Sequence, residues 1–527
     1  MIGLIVVVGI CIFGAILLFG GSGDSGGTSF LPTIVTSVPA APTIAPLFPA
    51  SPTATAAPFV PPSSTTEGQT WLVMLYQDAD DKVLEKDIYV DLNEAERIGS
   101  TDRVRIVAQV DRFTAGYQGD GNWTSTKRFY ITHDNDLERV GSQLVADIGE
   151  VNMSDGKTLI DFVTWAVETF PADKHVLIMS DHGMGWPGGW SDPEPGGRGD
   201  PNIPLSSRLG DELYLMEIDQ ALETIRAQTG LAEFEILGMD ACLMGHLEVF
   251  TALAPHARYA VASQETEPAL GWAYTGFLGP LVQNPDIGGD ELSRLIVETY
   301  IQEDQRIVDD QARADLLRQG SPMGGLFGLL GGPTAAQVGQ QMAQSATLSA
   351  IDLAAMPDLV ARVNDLAFAL QQENQPSVAQ SRAYAQSFTS VFGRNVPASY
   401  IDLGSFTQLV KRQTSKDAVS QAADGVLASL DGAVIAEKHG PNRKGATGIS
   451  IYFPNSQLYQ SPVTGPESYT AIAERFAQVS LWDDYLAFHY TGLGFAPSST
   501  ALVVPDRGTP ITAPGIGRIE VSPLELT

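Results

Sequence analysis

Residues 234–245 read Phe-Glu-Ile-Leu-Gly-Met-Asp-Ala-Cys-Leu-Met-Gly. The run 234–239 is apolar enough for a strand buried on both faces, and 243–253 carries apolar residues at helical spacing, so the stretch predicts strand, turn and helix. The same alternation begins at Trp71. Strands are predicted at 71–76, 104–110, 127–132, 176–179 and 259–262. Helices are predicted around Val83, Ile88, Leu92 and Ala95, over 159–170 introduced by Ser154, and over 213–225. Strands that alternate with helices predict an α/β fold: a mainly parallel sheet covered on both faces, with sites at the carboxyl ends of the strands.

Cys242 stands at such an end and is the only cysteine after Cys11. A lone thiol there is either a small buried hydrophobe or a nucleophile. As a nucleophile it needs a base, because a free thiol has a pKa near 8.5 and is mostly protonated at neutral pH. The strand around 175–179 ends in SDHG at 180–183. If it neighbours the strand 234–239, His182 and Cys242 leave the sheet at one edge. His246, four residues after Cys242 on the same helical face, is a second candidate base. His182 is flanked by Asp181 and Gly183, and a glycine there lets the backbone approach a substrate. A helix starting at Cys242 would also favour the thiolate through its partial positive charge.

SDHG at 180–183, MDACLMG at 239–245 and SQETEPALGW at 263–272 together resemble the clostripain family of cysteine peptidases, relatives of the caspases and gingipains. WLVMLYQDAD at 71–80 and TGISIYFP at 447–454 extend the similarity over about residues 70–490. The resemblance implies a caspase-like α/β/α sandwich and a cysteine endopeptidase with His182 as general base and acid and Cys242 as the nucleophile that forms a thioester. It implies oxyanion donors in the backbone N–H groups of Gly183 and Cys242. Asp240 matches an acidic position of the primary specificity pocket, where it would pair with Arg or Lys before the scissile bond; read alone, it is equally an Asp capping a helix. Ser263 and Glu265 are weaker candidates for the pocket wall. No cofactor is required by the sequence; the resemblance implies calcium in some members, with no ligands assigned, and Asp78-Ala79-Asp80-Asp81 lacks the alternating pattern of a helix-loop-helix calcium site. Two cysteines and no paired histidines argue against zinc.

Between the two strand ends, 186–208 is rich in Gly and Pro and reads as a long exposed loop. Family members are often cut by themselves in this region, which makes Arg198 and Arg208 the candidate self-cleavage positions. A mobile lid that is never cut is the competing reading.

The ends of the chain differ in character. Ile2 to Phe19 holds no charged residue, and a helix of that length nearly crosses a hydrocarbon core of about 30 Å. The first basic side chain is Lys82, so the basic flank of a cleavable signal is missing and 1–20 reads as a retained anchor, with a cleaved signal as the alternative. Residues 21–69, built mostly of Gly, Ser, Thr, Pro and Ala with scattered aliphatics, read as an extended stalk. Asp24 and Glu67 follow the apolar run, which places the bulk of the chain outside the cytoplasm. Beyond it the expected organisation is a peptidase core at 70–305, an insertion at 306–345, a mixed carboxyl-terminal subdomain at 346–490 and a loosely held tail at 491–527. Sixty-two acidic and thirty-one basic residues give a net charge of −31, which disfavours nucleic acid as a partner. Two other functions fit the same residues: a binding module of this fold without turnover, and acyl transfer to an amine through the same thioester.

Overall fold

The computed structural model describes residues 59, 67–114, 116–197, 199–319, 334–393 and 396–505. The anchor at 1–20, nearly all of the stalk, Arg198, the glycine-rich part of the proposed insertion and the end of the tail lie outside these residues. Among the described residues no helix is long and apolar enough to cross a membrane.

Nine strands form one sheet: β1 (Trp71–Ala79), β2 (Val104–Arg112), β3 (Thr126–Tyr130), β4 (Gln143–Gly149), β5 (Lys174–Ser180), β6 (Phe234–Asp240), β7 (Ala257–Ala262), β8 (Thr347–Asp352) and β9 (Val434–His439). Their order is β9-β8-β7-β6-β5-β1-β2-β3-β4. The five central strands are mutually parallel. At each edge the next two pairings are antiparallel, so only β3 and β8 run against the rest.

Every residue of β1 is buried because alternate side chains enter opposite layers. Leu72, Met74 and Tyr76 join one core with the helices Gly156–Thr169, Leu215–Thr229 and Met356–Ala369. Trp71, Val73 and Leu75 join the other with Glu85–Glu96, Tyr274–Gln283 and Gly289–Thr299. This is the expected α/β sandwich. The chain leaving β1 packs in the second layer and the chain leaving β5 in the first, so a crevice opens outside the carboxyl ends of these neighbours, where open α/β sheets place their sites.

Several elements differ from expectation. Asp155, not Ser154, caps the helix Gly156–Thr169, accepting the N–H of Lys157. The segment 346–490 is continuous with the core: β8 and β9 extend the main sheet, and Leu359, Val363 and Phe406 share its first hydrophobic layer. The run 186–208 is only partly an exposed loop. Trp186 and Trp190 are fully buried, Gly188 pairs with Tyr214, and the chain becomes exposed at Pro193.

Candidate active site

β5 and β6 are adjacent and parallel, with Ser180 paired to Asp240. His182 and Cys242 therefore each lie two residues past the same rung. A Cβ on Gly183 would sit 2.3 Å from the Cys242 carbonyl oxygen, so only glycine lets the two strand ends touch. Cys242 is 1% exposed, and its Sγ accepts the backbone N–H of Glu267 at 3.2 Å, a contact that favours the thiolate.

The helix expected from Leu243 begins instead at Leu247, with His246 at its cap. Leu243 has φ 66°, its N–H donates to the Glu265 carbonyl at 3.1 Å, and the Gly245 N–H donates to that of Ser263 at 2.6 Å. These bonds to a distant loop hold the segment out of helix. The helix-terminus contribution to the thiolate falls away with it, since that effect is confined to the first turn.

On the other side of the crevice His182 Nε2 lies 3.4 Å from Asp81 Oδ1. Burial alone would raise the Asp81 carboxyl, but the imidazole and the N–H groups of Leu84 and Val83 outweigh it and hold the group below the usual carboxylate range. His246 is placed differently. Its ring is fully buried, edge-on to Tyr400 at 4.2 Å between centroids, with Nδ1 3.4 Å from Glu248 Oε2.

Beside Cys242 opens a small cleft whose lining includes Ser180, Asp91, Asp240, Glu267 and Gly271. Asp240 Oδ2 accepts the Tyr274 hydroxyl at 2.9 Å and the Trp272 N–H at 3.4 Å. Burial pushes its carboxyl up to about 6, although the bonds from Tyr274 and Glu267 pull the other way. Asp91 is paired with buried Arg306, Nη2 to Oδ1 at 2.5 Å, and Arg306 also reaches Asp304 at 2.8 Å. Arg306 thus neutralises the rear of the cleft, and the segment expected to begin an insertion there starts with a buried part of the site.

Ser263 and Glu265 lie outside the cleft lining. The Ser263 hydroxyl bonds the Glu265 carbonyl at 2.8 Å, and the Glu265 carboxylate is ion-paired to Arg443 and accepts the Thr389 N–H at 3.2 Å. They secure the turn that carries Cys242. Arg208 is exposed in the short helix Ser206–Leu209. Asp91, Glu267 and Arg306 escaped the sequence reading. Asp91 carried a signal, a carboxylate three residues after Ile88 on the apolar face of its helix.

Residues 75–314 match the family model described as the clostripain family. The match covers 240 of the 527 residues, so what is shown is a similarity to that family over this stretch. Clostripain of Hathewaya histolytica is 28% identical over 212 residues, 36% of this chain and 36% of that protein, so the chain spans about a third of that relative's length. Among solved structures, an inactive zymogen C11 protease from Parabacteroides distasonis is 14% identical over 74% of this chain and 94% of its own, with a TM-score of 0.49. A secreted C11 cysteine protease from Bacteroides thetaiotaomicron in complex with an irreversible peptide inhibitor is 17% identical over 77% and 99%, with a TM-score of 0.48. His182, Cys242, Asp240, Glu267 and Arg306 all fall inside the stretch that matches the family model; TGISIYFP at 447–454 falls outside it.

The crevice also gathers carboxyl groups with few cations near them. Burial is the first cause in each case, raising Asp111 to about 9, Asp80 and Asp181 to about 8, Glu150 to about 7 and Asp192 to about 6. They anchor the chain after β5: Asp181 accepts the Ser191 N–H at 2.9 Å, Asp80 the Glu194 N–H at 2.9 Å and Asp192 the Met153 N–H at 2.6 Å. In the unfolded chain such groups have lost their protons by about pH 5. Between there and pH 9 the folded state holds more protons, so stability falls as pH rises. The thermal unfolding midpoint is expected to drop steadily from pH 6 to pH 9; a flat or rising midpoint contradicts this.

Proposed function

We propose that this chain is a cysteine endopeptidase that hydrolyses peptide bonds after Arg or Lys. The reading is carried by one juxtaposition: the Cys242 thiol borders a cleft containing the Asp240 and Glu267 carboxyls, on the strand next to the one that delivers His182. The thiol proton passes to His182, and the thiolate attacks the substrate carbonyl carbon. The oxyanion that forms takes hydrogen bonds from the backbone N–H groups of Gly183 and Cys242. The C–N bond breaks as His182 returns the proton to the leaving amine, which leaves a thioester on Cys242. A water that gives a proton to His182 attacks this thioester, and the acid departs as the thiol regains its proton.

Asp240 is the charge that selects the substrate's guanidinium or ammonium, with Glu267 beside it. Calcium is possible by the family resemblance, with no ligands assigned, and the steps above are those of this chain's own residues. Among the described residues no group of three or more His, Cys, Asp or Glu side chains is arranged to hold a metal ion.

The test is a panel of peptide amides ending in Arg, Lys, Asp or Leu, with and without calcium and with and without an added amine. Hydrolysis confined to Arg and Lys supports the reading. Transfer to the amine in preference to water would assign acyl transfer, and no turnover in any arm would assign a binding module.

Self-processing at Arg198 or Arg208 belongs to the same proposal, since both arginines lie in the sequence between the two strand ends and match the pocket's charge, and Arg208 is exposed. Changing both to Gln is expected to leave a single chain of reduced activity; a single chain with full activity contradicts it. The uncharged run Ile2–Phe19 followed by a Pro-rich spacer supports an anchored enzyme outside the cytoplasm, with secretion after signal cleavage as the alternative. Recovery in the membrane fraction, released by detergent and not by high salt, tests the anchor.

A further inference from the structure

Three neighbouring strands each deliver one polar residue to the crevice: β1 leads to Asp81, β5 to His182 and β6 to Cys242. Asp81 Oδ1 is 3.4 Å from His182 Nε2 and also accepts the N–H groups of Val83 and Leu84, each at 2.7 Å. Two backbone donors therefore pin the carboxylate in place ahead of the helix Glu85–Glu96. The Asp81 side chain is 20% exposed and the His182 ring 16%, so solvent screens their attraction only in part.

Two other carboxyls face His182. Asp181 precedes it in the chain, and Glu212 approaches on the return from the loop. Burial pushes both to about 8, against the pull of the imidazole, which leaves Asp81 as the carboxylate charged at neutral pH.

We propose that Asp81 is a positioning residue for the dyad: it keeps the proton on His182 Nε2, so that Nδ1 exchanges the proton with Cys242, and it stabilises the imidazolium that results. This rests on the dyad reading given above. When the thiol proton moves to Nδ1, the Nε2 proton stays where it is, and Asp81 remains ionised throughout.

The imidazolium gains from Asp81 and the thiolate does not, so the charge acts on the loss of the imidazolium proton. Asp81→Asn keeps an amide oxygen for the two backbone donors and removes the charge. In the full-length protein it is expected to lower kcat by about 30–100-fold with KM within about twofold, a loss within the range for general acid–base groups. The alkaline limb of kcat/KM, which reports loss of the imidazolium proton needed by the leaving amine, is expected to move down by about one pH unit. Asp81→Ser, another uncharged residue that can cap the turn, should behave alike and serves if the amide variant folds poorly. Glu212→Gln should move the alkaline limb less than half as far.

Wild-type kcat and an unmoved alkaline limb in a folded Asp81→Asn or Asp81→Ser variant, with Cys242→Ala inactive, would overturn the role of Asp81 and leave the dyad standing. If Cys242→Ala also keeps its activity, the dyad itself is wrong.

Discussion

Cys242→Ala is expected to reduce hydrolysis of Arg- and Lys-ended peptide amides by about 10⁴-fold or more, and adding His182→Ala to it should cost little further. Groups that act as one unit give grossly non-additive losses, because removing either member already removes the step. The substitution deletes one sulfur from a fully buried site, so the folded structure should survive with a modest fall in thermal midpoint. His182→Ala alone leaves the thiol and removes its base, so alkylation at pH 7 should slow by about tenfold or more as the thiol returns toward its ordinary pKa near 8.5. Steady-state rates and iodoacetamide kinetics on the three variants check the pattern. A double variant much worse than Cys242→Ala would mean that His182 acts independently of the thiol.

Asp240→Asn is expected to lower kcat/KM for Arg and Lys substrates by about 10²–10³-fold while Cys242 alkylation stays within about twofold of wild type. Asn keeps an oxygen for the Tyr274 hydroxyl and the Trp272 N–H, so the cleft retains its shape and loses its charge. Breaking one partner of a buried charge pair costs about 2–4 kcal/mol, and each 1.36 kcal/mol is tenfold in rate. Because burial raises the Asp240 carboxyl to about 6, kcat/KM for basic substrates should also decline as pH falls through 6, and the decline should be absent in the Asn variant. An equal loss for a Leu-ended amide, or a matching loss of alkylation rate, would make Asp240 a structural cap.

The central strands were legible because a strand buried on both faces must be apolar throughout, as Trp71–Ala79 nearly is up to Tyr76. Once β5 and β6 are neighbours, the common edge position of His182 and Cys242 follows from chain direction alone. The misses share a cause, which is dependence on distant partners. The edge strand β4 is largely exposed and carries no apolar run to announce it. β8 and β9 join the sheet by pairings that no local pattern encodes, so their place in the main sheet is not visible in a reading of 346–490 as a mixed subdomain packed on the core. The delayed helix start at Leu247 depends on bonds from Leu243 and Gly245 to Glu265 and Ser263. The cleft likewise draws Asp91 and Glu267 from separate segments to Asp240, with Arg306 paired to Asp91, and its acidity becomes visible only when the carboxyls meet.

The most direct measurement is mass-spectrometric mapping of the full-length protein after reaction with a thiol-directed peptidyl ketone ending in Arg, beside matched reagents ending in Leu and Asp. The account predicts one stoichiometric adduct on Cys242, formed at least tenfold faster with Arg than with Leu or Asp and strongly slowed in His182→Ala. Labelling elsewhere, or a Cys242 adduct indifferent to both the reagent's side chain and His182, would contradict it.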